Sequence, residues 1–100
     1  MGLKFDQHKL RYDLIPPEVM QSLAKVLTYG SVKYAPNSWQ TLADFNERYY
    51  AALMRHLMAW RSGEHIDAES GLLHLEHALC NAAFLSFREV TSPLPSHSTQ

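Results

Sequence analysis

Three polar side chains, His74, His77 and Asn81, recur at helical spacing within a segment that is otherwise rich in leucine and alanine. At about 100° per residue they fall on one narrow strip of a helix, together with Ser70. The rest of the circumference is apolar, so the helix should be buried, and buried polar groups need partners or a task. Imidazole and amide groups at this spacing can face one divalent ion or one phosphate cluster.

A second helix is expected to bring His56 to the same place, because His56 lies in the middle of an apolar face. A short acidic connection between the two helices adds carboxylates. The candidate metal ligands are Glu64, Asp67, Glu69, His74, His77 and Asn81. Such a set suits Mn²⁺, Co²⁺ or similar ions, and suits Mg²⁺ less obviously because Mg²⁺ prefers oxygen ligands. Taken singly, each buried histidine is more often a hydrogen-bonded core residue, so a purely structural bundle stays an alternative.

Basic and aromatic residues form a second group with possible chemistry. Arg48 and Arg55 can fork onto phosphate oxygens, Lys33 supplies a mobile charge, and Tyr34 and Trp39 offer faces for a planar ring. The alternative is a solvated arginine flank and a loop pinned to the core by its aromatic residues. Similarly, Arg11 can form a simple surface ion pair with Asp13. The candidate substrate-binding residues are Arg11, Lys33, Tyr34, Asn37, Trp39, Arg48 and Arg55.

Composition limits the class of protein. The chain has 100 residues, 46% of them hydrophobic, a net charge of −1 and a single cysteine, Cys80. One small domain is expected, with no internal disulfide and no thiolate metal cluster. The charge balance gives no reason to expect binding to polymeric nucleic acid. No signal-like or bilayer-spanning apolar stretch is present, so we expect a cytoplasmic protein that does not bind membranes.

Three helices account for the hydrophobic pattern. The first should run over about 16–29, from a proline start to Gly30, and the second over about 44–61, opening with Asp44 and Glu47 as a capping box. The third should run over about 68–89, capped by Asp67 or Ser70.

The predicted fold is therefore an all-α bundle built on an antiparallel hairpin of helices 44–61 and 68–89. Residues 1–90 form the single domain, and residues 91–100 a disordered tail. Because the third helix is apolar on more sides than one partner can cover, a homo-oligomer, dimer or tetramer, should complete the bundle.

Several motifs in the same order resemble one known family. They are Arg11-Tyr-Asp-Leu-Ile-Pro-Pro-Glu18, Tyr29-Gly30 with Lys33-Tyr34-Ala-Pro-Asn37-Ser-Trp39, Arg55-His56-Leu with Gly63-Glu64, and Asp67-Ala-Glu69-Ser70-Gly71-Leu-Leu-His74-Leu-Glu-His77-Ala-Leu-Cys-Asn81-Ala. Over about residues 4–90 the chain resembles the phage dATP/dGTP diphosphohydrolases, relatives of the MazG-like all-α NTP pyrophosphatases. MazG-like enzymes hold metal with Glu-x-x-Glu and Glu-x-x-Asp on successive helices. Here the corresponding helices offer His56, and then His74-x-x-His77 with Asn81.

The resemblance implies metal-dependent hydrolysis of purine (deoxy)nucleoside triphosphates to monophosphate and pyrophosphate, with Mg²⁺ or Mn²⁺, or else Co²⁺ or Zn²⁺. Under that hypothesis Glu69 or His56 takes the proton of the attacking water. The arginines and Lys33 stabilise the phosphates, and Tyr34 or Trp39 stacks on the purine. The chain has imidazoles where MazG-like enzymes have metal-binding carboxylates. An alternative is therefore a non-catalytic helical module that binds nucleotide or protein.

Overall fold

The computed structural model describes residues 8–92, and within that range the protein is all-α. Its helices are α1 (Pro17–Lys33), α2 (Phe45–Arg61) and α3 (His74–Thr91), with short 3-10 turns at Tyr12–Leu14 and Ser38–Thr41. Among these residues the only β contact is an isolated bridge between Ile66 and Leu73. None of the described helices combines the length and the apolar character needed to cross a membrane. Of the predicted tail, residues 93–100 lie outside the described range, whereas Thr91 ends α3.

Helices α2 and α3 form the predicted antiparallel hairpin, as the order of their contacts demonstrates. At one end the Arg88 guanidinium lies 4.0 Å from the Phe45 ring centroid. Further along, the Tyr49 ring meets Phe84 at 4.7 Å, and near the other end His56 meets His77 at 4.5 Å. Residue numbers thus rise along α2 as they fall along α3. Helix α1 packs on α3.

Helix α1 is longer than predicted, because Gly30 does not end it. The helix continues to Lys33, and the Tyr34 N–H closes the last turn on the Gly30 carbonyl at 2.8 Å. A glycine inside a helix costs only about 1 kcal/mol relative to alanine, which one additional turn of hydrogen bonds and side-chain contacts can outweigh. The extra turn carries Lys33 to a partner across the molecule, Glu69.

Helix α3 begins at His74 and not near residue 68, and neither Asp67 nor Ser70 caps it. Gly71 adopts a φ of 77°, a left-handed conformation that breaks the helix and that glycine adopts at little cost. The carboxylate of Glu76 accepts the Leu73 N–H at 3.1 Å, and so satisfies a free donor at the helix start.

The bounds of α2 agree with the prediction, but its predicted capping box is absent. Asp44 precedes the helix in a left-handed conformation, with a φ of 54°, and its side chain makes no capping hydrogen bond. The aromatic residues after it anchor this end of the hairpin instead, with Phe45 buried against Tyr49 and Trp39.

The apolar core of the described part is small. Its buried apolar residues are Phe45, Ala78 and Cys80. Polar or charged residues are buried alongside them, namely His74, Glu76, His77 and Asn81. The hairpin thus has an aromatic end near Phe45 and a polar, histidine-rich end where α3 begins.

Candidate active site

Three histidines meet at the polar end of the hairpin. His74 and His77 are one turn apart at the start of α3, and both are buried, while His56 reaches them from α2 and is half-buried. The Nδ1 atoms of His56 and His74 are 2.9 Å apart. The rings of His56 and His77 stack with a centroid separation of 4.5 Å and an interplanar angle of 9°. The predicted convergence of these side chains is therefore present.

Asp67 joins two of these histidines from the loop that precedes α3. One potential ligand atom from each of His56, Asp67 and His74 lies within 4.8 Å of the other two. Asp67 Oδ2 accepts the Ser70 N–H at 3.0 Å and is 3.7 Å from His77 Nε2. Burial alone raises the pKa of Asp67, but the hydrogen bonds from Ser70 outweigh it and leave the pKa below its usual value. The carboxylate is therefore ionised at neutral pH.

Burial controls the electrostatics of the imidazoles. Desolvation lowers the pKa of His56, and the neighbouring His77 lowers it further. Desolvation also lowers the pKa of His77, against the opposing effect of Asp67. Both rings are therefore neutral at pH 7, the form in which imidazole has a lone pair to offer.

Two imidazole nitrogens and one carboxylate are suitable ligands for a divalent transition metal. This triple of His56, Asp67 and His74 matches the preference of Mn²⁺, Co²⁺, Fe²⁺ and Zn²⁺ for mixed nitrogen and oxygen donors. It matches Mg²⁺ poorly, because Mg²⁺ favours an all-oxygen shell. The side chains present thus fit a metal ion of the transition series.

The other predicted metal ligands face different partners. Glu64 Oε2 is 3.2 Å from the Nε2 atom of His74. His77 Nε2 is 2.6 Å from the Ser70 hydroxyl, and the Asn81 amide donates to the His77 carbonyl at 2.9 Å. Glu69 is exposed, where its Oε2 accepts from Lys33 Nζ and from the Tyr29 hydroxyl.

A cleft of about 790 Å³ opens beside the histidines, between α1, the loop that follows it and the hairpin. Of the predicted site residues, it is lined by Lys33, Tyr34, Asn37, Trp39, Arg48, His56, Asp67, Glu69 and His77. Predicted site residues outside its lining are Arg11, Arg55, Glu64, His74 and Asn81. The structure therefore brings most of the basic and aromatic group to the histidine cluster.

The aromatic and basic residues of the cleft differ in how much of each side chain remains available to bind a ligand. Trp39 stacks on Phe84 with centroids 4.2 Å apart and an angle of 13°, so one of its faces is used in packing. Tyr34 is 71% exposed, and Lys33 Nζ lies 5.3 Å from its ring centroid. Outside the cleft, Arg11 makes a bidentate ion pair with Asp13 at 2.8 Å, which is the surface ion pair that the sequence offered as the alternative to substrate binding.

Two residues of this region have roles that the sequence does not indicate. Tyr29 lines the cleft, donates to Glu69 and packs edge-on against His77 at 6.3 Å. Nothing in its sequence position predicts this, because the contacts join segments 40 or more residues apart. Glu76 is buried, although charged residues are mostly exposed and nothing in its sequence position indicates a partner.

Comparisons with known proteins agree with the motif resemblance. No solved structure matches the chain significantly. A protein of Salmonella phage PMBT28 named "dATP/dGTP diphosphohydrolase" is 37% identical over 84 residues, which are 84% of this chain and 28% of that protein. The chain thus spans little more than a quarter of the length of this relative. Residues 1–94 match the family described as "dATP/dGTP diphosphohydrolase, N-terminal". The chain belongs to that family.

Proposed function

We propose that this protein hydrolyses purine deoxynucleoside triphosphates, dATP or dGTP, to the monophosphate and pyrophosphate with the help of a divalent metal ion. Water adds to the α-phosphorus, and the bond to the pyrophosphate oxygen breaks. The reaction class comes from the family and from the name of the phage relative. The observation that supports it most is the cleft, where His56 and Asp67 of the metal-ligand triple face the same space as basic side chains and aromatic rings.

The metal ion would be held by His56, Asp67 and His74. It would act as a Lewis acid towards the phosphate oxygens. Its class would be a divalent transition metal such as Mn²⁺ or Co²⁺, since two of the three donors are imidazoles.

Lys33 and Arg48 would bind the phosphates, because both line the cleft. Lys33 now pairs with Glu69, and this ion pair lowers the pKa of Glu69. When Lys33 turns to a phosphate, Glu69 loses its partner and its pKa rises towards the usual value. The freed carboxylate is then a better base for the proton of the attacking water. His56 is less suited to that role if its Nδ1 binds the ion.

The purine would stack on Tyr34, whose ring is exposed at the cleft. Trp39 has one face against Phe84, so only its other face could take part. Base stacking on an aromatic ring tolerates any base, because every base has a π-face. Discrimination between bases would depend on polar groups of the cleft, of which Asn37 is one.

The test follows pyrophosphate release from dGTP, dATP and dCTP by purified protein with Mn²⁺, Co²⁺ or Mg²⁺. We expect release from the purine nucleotides with Mn²⁺ or Co²⁺. Asp67→Asn should reduce turnover by about 100-fold or more while keeping the hydrogen bond from Ser70, because it removes the ligand charge. Exposed Glu89→Gln is the matched control. No release with any of these metals, from folded protein, would contradict the proposal.

A second candidate function is nucleotide binding without hydrolysis. It is favoured by one observation, that the metal-ligand triple contains a single carboxylate and two imidazoles. For this candidate, dGTP and Mn²⁺ together would raise the melting temperature while no monophosphate accumulates. Product formation in the same sample would decide for catalysis.

We also propose that the working unit is a homo-oligomer. The described residues bury few apolar side chains, and large ones stay exposed on the helices, among them Met20, Met58, Leu75 and Val90. A second copy of the chain could cover them. Light scattering coupled to gel filtration measures the mass directly, and a monomer at every concentration up to the millimolar range would contradict this.

A further inference from the structure

Glu64 contacts His74, which is the most buried histidine of the metal-ligand triple. It is the third residue after the end of α2 at Arg61, and its N–H donates to the Ala59 carbonyl at 3.0 Å, which fixes the backbone at this point. Its Oε2 atom lies 3.2 Å from His74 Nε2. The next residue, His65, accepts the His74 N–H through its carbonyl oxygen at 2.8 Å. Residues 64 and 65 thus contact His74 at both its ring and its backbone.

The Glu64 carboxylate decides which nitrogen of His74 carries hydrogen. An ionised carboxylate only accepts hydrogen bonds, so His74 Nε2 must be the donor. A neutral imidazole with its hydrogen on Nε2 has its lone pair on Nδ1. That Nδ1 atom lies 2.9 Å from the Nδ1 atom of His56, so His56 is the donor of this second hydrogen bond.

The same tautomer prepares His74 to bind a cation. Metal–nitrogen bonds of about 2.1 Å place two adjacent ligands of one ion roughly 3 Å apart, close to the 2.9 Å between the two Nδ1 atoms. A cation can therefore take the place of the shared hydrogen, with His56 carrying its hydrogen on Nε2 instead. A histidine ligand whose other nitrogen donates to a carboxylate is a recurrent arrangement in metal sites.

We propose that Glu64 is a positioning residue that fixes His74 in the Nε2–H tautomer and so makes its Nδ1 atom a ligand for a divalent transition metal. The inference rests on the metal site of the proposed function. It assigns to Glu64 an indirect role, through His74. Glu64 itself is largely exposed and is not a member of the ligand triple.

The experiment uses two readouts that need no nucleotide. Long-range ¹H–¹⁵N correlation spectra of the metal-depleted protein report the tautomer of His74, and titration with Co²⁺, followed by absorption, reports affinity. We expect wild-type His74 to be the Nε2–H form. Glu64→Ala should shift it towards a mixture and weaken Co²⁺ binding by about 10- to 100-fold. Glu64→Gln keeps an acceptor oxygen and should fall between the two, whereas exposed Glu89→Ala should match wild type.

Each outcome bears on a separate statement. An unchanged His74 tautomer and unchanged Co²⁺ affinity in folded Glu64→Ala would overturn the role of Glu64 and leave the proposed function in place. A wild-type protein that binds no Co²⁺ would overturn the metal site and, with it, this inference. Circular dichroism establishes that each variant is folded.

Discussion

At the scale of single residues, two arginines on the same helix differ in what they reach. Arg48 and Arg55 both lie on α2 with exposed side chains, and sequence spacing offers no reason to prefer one as a phosphate ligand. In the structure Arg48 lines the cleft and Arg55 does not. The pair therefore forms its own control, because both substitutions remove the same charge from the same helix.

Arg48→Ala should impair nucleotide hydrolysis far more than Arg55→Ala. Hydrogen bonds to charged groups contribute about 1.5–3 kcal/mol, so losing the Arg48 contact should lower kcat/KM by roughly 10- to 100-fold. Arg55→Ala should stay within about threefold of wild type, and both variants should melt near the wild-type temperature. Steady-state kinetics and thermal melts of the two variants provide the comparison. Equal losses in both would mean that Arg48 is no more a substrate ligand than Arg55.

At the scale of secondary structure, one carboxylate organises the start of α3. Glu76 accepts the Leu73 N–H within its own helix start, the Ser22 hydroxyl at 2.8 Å and Lys25 Nζ at 3.2 Å from α1. It therefore caps α3 and ties it to α1. Burial alone raises the pKa of Glu76, but these hydrogen bonds outweigh burial and leave the pKa below its usual value.

Glu76→Gln should destabilise the fold by about 1–3 kcal/mol at pH 7, because the amide cannot satisfy all the donors that point at it. The effect depends on pH. Since the folded-state pKa lies below the unfolded one, the stabilisation is complete above the unfolded pKa and is lost as pH falls through the folded pKa. Urea unfolding at pH 7 and at about pH 3 should therefore give a difference between variant and wild type that shrinks in acid. A difference independent of pH would argue against this role, and Glu89→Gln is the exposed control.

Two glycines should respond in opposite ways to the same substitution. Gly30 lies inside α1, where a Cβ would have no neighbouring atom within 4 Å, and Gly71 has a φ of 77°. Gly30→Ala should raise stability by about 0.5–1 kcal/mol through helix propensity, and Gly71→Ala should lower it by about 1–2 kcal/mol. Thermal melts should shift upwards for the first and downwards for the second. A lower melting temperature for Gly30→Ala would mean that this turn of α1 is not a regular helix in solution.

At the scale of the whole molecule, Cys80 reports how often the hairpin opens. It is 1% exposed, and burial raises the pKa of its thiol to about 12. The chain has one cysteine, so any labelled thiol is Cys80.

A thiol reagent such as Ellman's reagent at pH 8 should label the native protein only as fast as the protein opens, because the thiolate is the reactive form. In urea above the unfolding midpoint, the reagent should label Cys80 as fast as it labels free cysteine in the same solution. The labelling rate measured against urea concentration tests this. Rapid, stoichiometric labelling without urea would show that α3 is not packed as described.

The sequence by itself determined the all-α character of the protein and the convergence of its histidines. Apolar spacing predicted an all-α hairpin, and the strip of His74, His77 and Asn81 predicted a buried polar cluster opposite His56. The structure brings the three histidines together, whereas the Asn81 amide bonds to the His77 carbonyl of its own helix. Such patterns can be recognised in a sequence because they repeat within one helix, and helices that follow each other in the chain usually pack together.

Only the tertiary structure decided which atoms meet across the chain. In the structure α1 ends at Lys33, α3 begins at His74, and Glu76 is buried. Glu69 forms an ion pair with Lys33, and the Glu64 carboxylate contacts the His74 ring. Each of these depends on contacts between different helices and loops, whose energies of a few kcal/mol exceed the local preferences of glycine or of an N-cap residue. Local propensity predicted approximately where the helices lie, and the packing of those helices determined which groups the charged side chains contact.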